Sequence, residues 1–385
     1  MAKARLAIIG TGGLAQSQHI PNLMRADHAE LVTLCDLRED VLRNVAEAYP
    51  GCALETDHRK VLADPDIDGV VIATREDTHV SLTIEALAAG KHVYVEKPLA
   101  ETEAEAAKVM GALEASGKIV AVGMNRRMAP AYQYARKLLD GVGGATNMFY
   151  RITDSYSFTW GRSKGFGPNQ RIVHEVCHIF DIMRFFAASE VRTVYCVSAR
   201  PDDEQIVLTF ANGTVGTIMS SGYANSDFPK ERFEAIAQAG AIAVNEFCEV
   251  RQYSLSDTEP PVTTFPGHFH PNHDMTHVFL LKELGYEALQ AVRRTTWKSG
   301  QRVKELEAAG ETDTTEYKTL KRYGSRNPLA NYFMDKGWLA AMDGFGQAIL
   351  EGTPFPGATA IDGLRAAQIT EAAIQSRSTG QVISL

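Results

Sequence analysis

The 385-residue chain is poor in cysteine. It has five, at positions 35, 52, 177, 196 and 248, an odd number with no C-x-x-C pair. That pattern argues against a disulfide framework and a structural zinc site, and for reduced thiols in a cytoplasm. Nor is there an excess of positive charge. Lys+Arg number 39 against 47 Asp+Glu, a formal net charge of −8 at pH 7, so no attraction to nucleic acid or an anionic membrane is expected. Long apolar runs are missing too. No stretch approaches the ~20 apolar residues of a membrane span. The run after Met-Ala-Lys-Ala-Arg is about five residues, short of the roughly 7–15 of a secretory segment. Internal repeats and low-complexity tracts are absent. These absences leave a soluble cytoplasmic chain, two or three domains long at roughly 150 residues per domain.

What is present begins with strands alternating with helices. Apolar runs at 5–9, 31–35, 69–73, 92–95 and 119–122 read as strands. A helix from about Leu14 and helical patterns at 39–49, 79–89 and 102–116 separate them. That alternation predicts βαβ units and a parallel sheet. Beyond Met124 the pattern changes. Helices are expected at 130–139 and 174–186, and extended runs at 193–198, 205–210, 213–221, 232–237 and 241–246, with Asn212-Gly213 as a hairpin turn. Closely spaced strands with short turns predict an open, mainly antiparallel sheet. The expected fold is therefore α/β: a doubly wound Rossmann domain over 1–125, then an α+β substrate domain over 126–385. Residues 255–330 read as an insertion with some helix at about 275–296, and 335–351 and 361–378 as closing helices.

The turn after the first strand is Gly10-Thr-Gly12-Gly13-Leu14-Ala15, a G-x-G-x-x-A. The first glycine permits the turn, the second lets backbone approach a pyrophosphate, and the small third residue packs helix on strand. Alone the motif is weak. Here it follows a strand and opens a helix, and Asp36 closes the second strand about 20 residues on, where a carboxylate binds a ribose diol. Asp36 favours NAD, because it repels the 2′-phosphate of NADP. Arg38 pulls the other way, since a guanidinium could take that phosphate; the bland alternative is a solvated loop charge.

The run His92-Val-Tyr-Val-Glu96-Lys97-Pro98-Leu99 ends a buried strand with an acid and a base. Burying such a pair is costly without partners or a task. The stretch resembles the E-K-P motif of the Gfo/Idh/MocA oxidoreductase family. Ala73-Thr74…His79 and Ala86-Leu-Ala-Ala-Gly90 resemble that family's run into the motif, His19 its glycine turn, and Gly123-Met-Asn125-Arg126-Arg127 its domain junction. Residues 341–384 resemble its closing helices. The resemblance spans nearly the whole chain except about 255–330. It implies a Rossmann domain followed by an open antiparallel sheet, with Lys97 beside the nicotinamide and the substrate hydroxyl. Cofactor contacts are expected from Gly10, Gly12, Gly13, Leu14, Asp36, Arg38, Thr74, His79, Glu96, Lys97 and Asn125. A cis Lys97–Pro98 peptide suits such a turn.

Residues 173–181 read V-H-E-V-C-H-I-F-D and contain His174-Glu175-x-x-His178, the H-E-x-x-H of zinc proteases. A catalytic zinc needs a third protein ligand, and the sequence after His178 lacks the continuation that supplies one. The family resemblance gives another reading. Its members carry Asp, then Gly two on, His four on and Asp seven on. His178 and Asp181 match the last two, while His174 and Val176 replace the first two. Some members carry an E-x-C-H stretch here, and this chain resembles those. On a helix, 174, 178 and 181 share one face and Glu175 is turned about 100° away. A core helix with hydrogen-bonded histidines is the plain alternative. His268, His270, His273 and His277 form a second histidine cluster in Pro-rich sequence, read as a solvated or substrate-lining loop. No metal is expected. Trp160, Arg162 and Arg171 are candidates to line a sugar pocket.

Together these readings point to a nicotinamide-dependent dehydrogenase acting on a sugar, sugar derivative or cyclitol. His178 is the expected general base, its imidazole suited to both directions near neutrality. Lys97 would stabilise the alkoxide, Glu96 would position Lys97 or the cofactor, and His174 would orient substrate. A glycosidase working by transient oxidation and elimination keeps the same cofactor. A ligand-sensing regulator keeps only the fold. A homo-oligomer through the C-terminal sheet is expected.

Overall fold

The structure is a computed structural model that describes residues 2–155, 169–225, 228–238, 240–265, 276–324 and 334–385. Trp160, Arg162, His268, His270 and His273 lie outside the described residues.

The first sheet has six parallel strands: β1 (Ala4–Ile9), β2 (Ala29–Cys35), β3 (Ala53–Glu55), β4 (Gly69–Ile72), β5 (His92–Val95) and β6 (Val120–Val122). Their order, β3-β2-β1-β4-β5-β6, is that of dinucleotide-binding sheets, with the switch point between β1 and β4. Both faces are buried, which explains the unbroken apolar runs. Successive side chains alternate between them. Ala7, Ile9, Val70, Ile72, Val93 and Val95 face one core, and Leu6, Ile8, Leu34, Val71 and Tyr94 the other. The far end of the chain supplies part of each. Helix Trp338–Glu351 lays Met342, Phe345 and Ala348 on one face, and helix Ala360–Thr379 brings Ala360, Ala366 and Ala367 to the other. Gly346 permits the first of these contacts: a Cβ there would stand 2.5 Å from the carbonyl oxygen of His28.

The second sheet has nine strands: β7 (Ala145–Thr153), β8 (Val191–Arg200), β9 (Asp203–Phe210), β10 (Val215–Ser221), β11 (Glu231–Ala237), β12 (Ala241–Asn245), β13 (Glu249–Tyr253), β14 (Val262–Thr264) and β15 (Ile383–Ser384). Their order is β14-β13-β12-β11-β7-β10-β9-β8-β15. All neighbours are antiparallel except β7 and β10. The sequence reading did not anticipate β7, although it lies at the centre of the sheet. One face packs on helices Pro130–Asp140, Cys177–Ala187 and Ala360–Thr379, with Phe186 stacked on Phe233 at 4.1 Å between ring centroids. On the other face Tyr195, Val197, Ile236 and Tyr253 are exposed.

The 255–330 stretch holds more structure than its composition suggested. β14 extends the sheet, and the helical stretch Thr276–Ala308 runs well past the expected end, with a non-helical Gly285 inside it. Glu246 anchors it: its carboxylate accepts from Tyr286, Gln290 and Arg293 at 2.6–3.0 Å.

Candidate active site

The glycine turn sits at the C-terminal end of β1. Gly10 has φ +95°, and a Cβ there would lie 2.5 Å from the Ala73 carbonyl oxygen, so only glycine fits. Around Gly12 and Gly13 nothing lies within 4 Å of a Cβ position, an open cradle beside backbone N–H groups. The chain then enters a π-helical stretch, Ala15–His19, that continues into helix Ile20–Leu23. Asp36 caps β2. It accepts from Thr11 N at 2.9 Å, Thr11 Oγ1 at 3.1 Å and Arg38 N at 3.0 Å. Burial would raise its carboxyl, but the Arg38 and Thr11 hydrogen bonds and the Arg38 charge together hold it below the usual range. An ionised carboxylate beside an open glycine cradle at the switch point fits a dinucleotide with a free ribose diol.

At the end of β5 the carboxylate of Glu96 is buried between two residues. His19 Nε2 is 3.0 Å from Oε1, and Lys97 N donates to Oε2 at 3.1 Å. Gly123 makes room for it, since a Cβ there would meet Oε1 at 2.7 Å. His19 stacks edge-on against Tyr94 and against Trp338 from the closing helix. The Lys97–Pro98 peptide is cis, as expected. His79 Nδ1 donates to the Pro98 carbonyl at 2.8 Å. Thr74 Oγ1 pairs with Thr78 Oγ1 at 2.7 Å, and Asn125 Nδ2 donates to the Lys336 carbonyl at 2.6 Å while its buried Oδ1 has no protein partner. Leu14 is partly exposed above the turn, and Arg38 lies 3.6 Å from Asp36.

Lys97 then reaches across to the second domain, where its Nζ donates to the His174 carbonyl at 2.5 Å. The segment it meets is not a plain α-helix. Ile172–Val176 is a π turn that leads into Cys177–Ala187, so the 3.6-residue wheel does not hold up to Val176. Its residues part company. His174 Nδ1 stands 3.4 Å from Glu76 Oε1. His178 is buried, its Nδ1 without a protein partner. Asp181 belongs to a separate cluster: Arg127 grips it at 2.8 and 2.6 Å and also holds Asp362 at 2.8 Å.

Glu175, suggestive of a zinc protease in sequence, is committed elsewhere. Lys230 lies 2.7 Å from its Oε1 and Arg126 3.5 Å. Arg126 is itself clamped by Glu231, which also takes Lys336 at 2.8 Å and Tyr150 at 2.7 Å. Burial would raise the Glu175 carboxyl, but Lys230, Arg126 and Lys97 hold it well below the usual range. It is a fixed anion, not a base. Sequence reasoning missed this charged floor because Arg126, Glu175, Lys230, Glu231 and Lys336 come from separate stretches. It also missed Glu76. Arg171 is not a pocket residue: it is fully buried and bonded to Ser220, Asp154 and Ile152.

The charges set the histidines. Burial, reinforced by Arg126 and Lys97, drives His178 well below the ordinary value. Burial, with Lys97 and His79, lowers His174 to about 4 against the pull of Glu76. Desolvation beside Arg126 and Lys97 disfavours the charged form of the imidazole at 178. Among the described residues no three metal-ligating side chains converge.

A parallel sheet of this order, an open glycine cradle at its switch point and a carboxylate at the end of β2 are the features of a dinucleotide-binding domain. Residues 4–124 match the GFO_IDH_MocA model, described as an oxidoreductase family with an NAD-binding Rossmann fold. An inositol 2-dehydrogenase of Gluconacetobacter diazotrophicus is 31% identical over 193 residues, 48% of this chain and 55% of that protein, so the match spans about half of each. In fold, the scyllo-inositol dehydrogenase of Lactobacillus casei, solved with NAD(H) and scyllo-inositol, covers 99% of both chains at TM-score 0.70 and 16% identity. A levoglucosan dehydrogenase in complex with NADH and levoglucosan covers 99% of both at TM-score 0.71 and 20% identity.

Proposed function

We propose that the chain is a nicotinamide-dependent dehydrogenase acting on a hydroxyl-bearing carbon of a sugar, sugar derivative or cyclitol. The observation that carries this reading is Lys97 Nζ against the His174 carbonyl at 2.5 Å, which joins the E-K-P strand end to the helix that bears His178. Gly10, Gly12, Gly13, Leu14, Asp36, Arg38, Thr74, His79, Glu96, Lys97 and Asn125 would hold the cofactor, with Asp36 selecting NAD. Bound there, the nicotinamide supplies the hydride acceptor or donor.

The chain's own residues handle the proton. In oxidation, neutral His178 accepts it from the substrate hydroxyl, and the Lys97 ammonium stabilises the oxygen as negative charge develops. Glu96, pinned by His19, fixes the Lys97 backbone. His174 orients a neighbouring hydroxyl. Trp160 and Arg162 are substrate-lining candidates from sequence alone. The proposed division is 1–125 for cofactor and 126–385 for substrate.

The supporting relatives are those named for inositols and for levoglucosan. Five free thiols suit a cytoplasmic setting, and no helix among the described residues is long and apolar enough to cross a membrane. The exposed apolar side chains on the open face of the second sheet suit a homo-oligomer. The test is a screen of sugars, sugar phosphates, nucleotide sugars and inositols, following reduced nicotinamide with NAD and NADP in parallel. Turnover of an inositol or sugar supports the reading. Binding without turnover of any of them overturns it in favour of a sensor, and cleavage of a chromogenic glycoside with catalytic NAD in favour of a glycosidase.

A further inference from the structure

Two members of the charged floor come from one dipeptide, Lys230-Glu231, where β11 begins. Lys230 Nζ lies 2.7 Å from Glu175 Oε1 and 3.2 Å from Asp154 Oδ2, while Glu231 holds Arg126 and Lys336. A single residue brackets that dipeptide. The Glu246 carboxylate accepts from Lys230 N at 2.8 Å, and the Glu246 N–H donates to the Glu231 carbonyl at 3.2 Å. Glu246 sits in the turn between β12 and β13, where it and Phe247 have φ +44° and +63°. Left-handed backbone is costly for residues that carry a Cβ, and two in succession persist only where their surroundings hold them. Phe247 is held from the floor: Lys336 Nζ stands 5.0 Å from its ring centroid and the Tyr132 ring 4.7 Å. Glu246 is held from the helical stretch Thr276–Ala308. Arg293 Nη1 donates to both carboxylate oxygens at 2.7 and 2.6 Å, with Tyr286 and Gln290 beside it. A buried carboxylate needs such a partner.

We propose that Glu246 and Arg293 are positioning residues: by gripping Glu246, the helix within 255–330 sets the Lys230-Glu231 dipeptide and, through Lys230, the place of Glu175 in the segment that bears His174 and His178. Glu175 is one of the charges that act on His178. Released from Glu246, the Lys230 backbone is free to shift, and the nearest cation leaves Glu175. A displacement of about 1 Å near reacting groups can cost up to ~10²-fold in rate. That the segment is catalytic rests on the dehydrogenase reading; the mechanical link does not.

The test begins without substrate. Hydrogen–deuterium exchange of the full-length protein, read by mass spectrometry, follows peptides covering 229–233 and 170–178. Arg293→Met should speed exchange in both and leave strand β1 unchanged. Both contacts to Glu246 come from one nitrogen, so the ammonium of Arg293→Lys should restore most of the protection. The double variant Glu246→Gln/Arg293→Met leaves neither charge buried alone and takes the place of Arg293→Met if that chain does not fold. With NAD and myo-inositol as the probe, Arg293→Met should lower kcat about tenfold, leave KM for NAD unchanged, and be rescued in Arg293→Lys. Faster exchange confined to 276–308, or full kcat in Arg293→Met, overturns the proposal and makes Glu246 an anchor for the helix alone. Coupled exchange in a protein that oxidises no polyol sinks the dehydrogenase reading and leaves the link standing.

Discussion

Asp36 is held in place by the chain itself. Three hydrogen bonds from Thr11 and Arg38 fix its carboxylate at the strand end. A 2′-phosphate brought there would meet a charge that cannot swing away, whereas Arg38 is largely exposed and can. Asp36→Ala should therefore erode the preference for NAD over NADP, by roughly tenfold or more for a lost charge-assisted hydrogen bond. Titration of both cofactors checks it, and a wild type that binds NADP much more tightly would mean Arg38 sets the choice. His174 carries a second prediction, in stability. Burial holds it at about 4 in the folded chain, against an ordinary histidine value of about 6.5. Between those values the unfolded chain takes up a proton and the folded chain does not. This residue's contribution is therefore intact above about pH 6.5 and is lost as pH falls toward 4. Denaturation at a series of pH values should show a shallower acid loss in His174→Gln than in wild type. Identical slopes would assign the acid loss to other groups.

At the scale of elements, the joint before helix Trp338–Glu351 is packed closely against the backbone of Asn125–Ala129. Gly337 has φ +84°, and a Cβ there would lie 2.5 Å from the Met128 carbonyl carbon and 2.6 Å from the Asn125 carbonyl oxygen. Gly337→Ala combines left-handed strain with overpacking against backbone, so a loss of about 1–3 kcal/mol in urea unfolding is expected. An unchanged midpoint would show that the joint yields freely. The same scale explains what could be read from sequence. The first sheet is buried on both faces, so its strands are apolar runs punctuated by Gly10 and Asp36. Residues 145–153 are different. Met148, Tyr150 and Ile152 face the core while Thr146, Asn147 and Arg151 break the run, and the strand is fixed by pairing with β10 and β11, more than sixty residues away. Lys97 and His178 were legible because motifs carry them. Glu76 and the floor of Arg126, Glu175, Lys230, Glu231 and Lys336 were not, because only the tertiary fold brings those charges together. The π turn at Ile172–Val176 was hidden too, since apolar periodicity there fits an ordinary helix.

At the scale of the molecule, the two candidate catalytic groups come from different halves of the chain, joined where Lys97 Nζ donates to the His174 carbonyl four residues before His178. Lys97 ends a strand of the first sheet, and His178 lies on a helix packed beneath the second. That helix is tied to the segment just after the domain junction by Arg127, which grips Asp181 and Asp362 at once, and to the start of helix Ala360–Thr379 by Arg184, which reaches Asp362 at 2.8 Å. The Lys97 charge acts on His174, Glu175, Cys177 and His178 alike. Removing either group should therefore disable one shared event, the transfer of a hydroxyl proton as negative charge grows on oxygen. Lys97→Met keeps a similar stem without the charge and should cost about 10²–10³-fold in rate. His178→Ala should cost about 10²–10⁴-fold and leave NAD binding intact, because it touches no part of the glycine turn. If the two act as a unit, the double variant should be little slower than the slower single one. Steady-state and single-turnover rates on the substrate found by the screen decide it. Losses that multiply would separate the two residues into independent roles, and a His178→Ala enzyme near wild-type rate would make its helix a packing element.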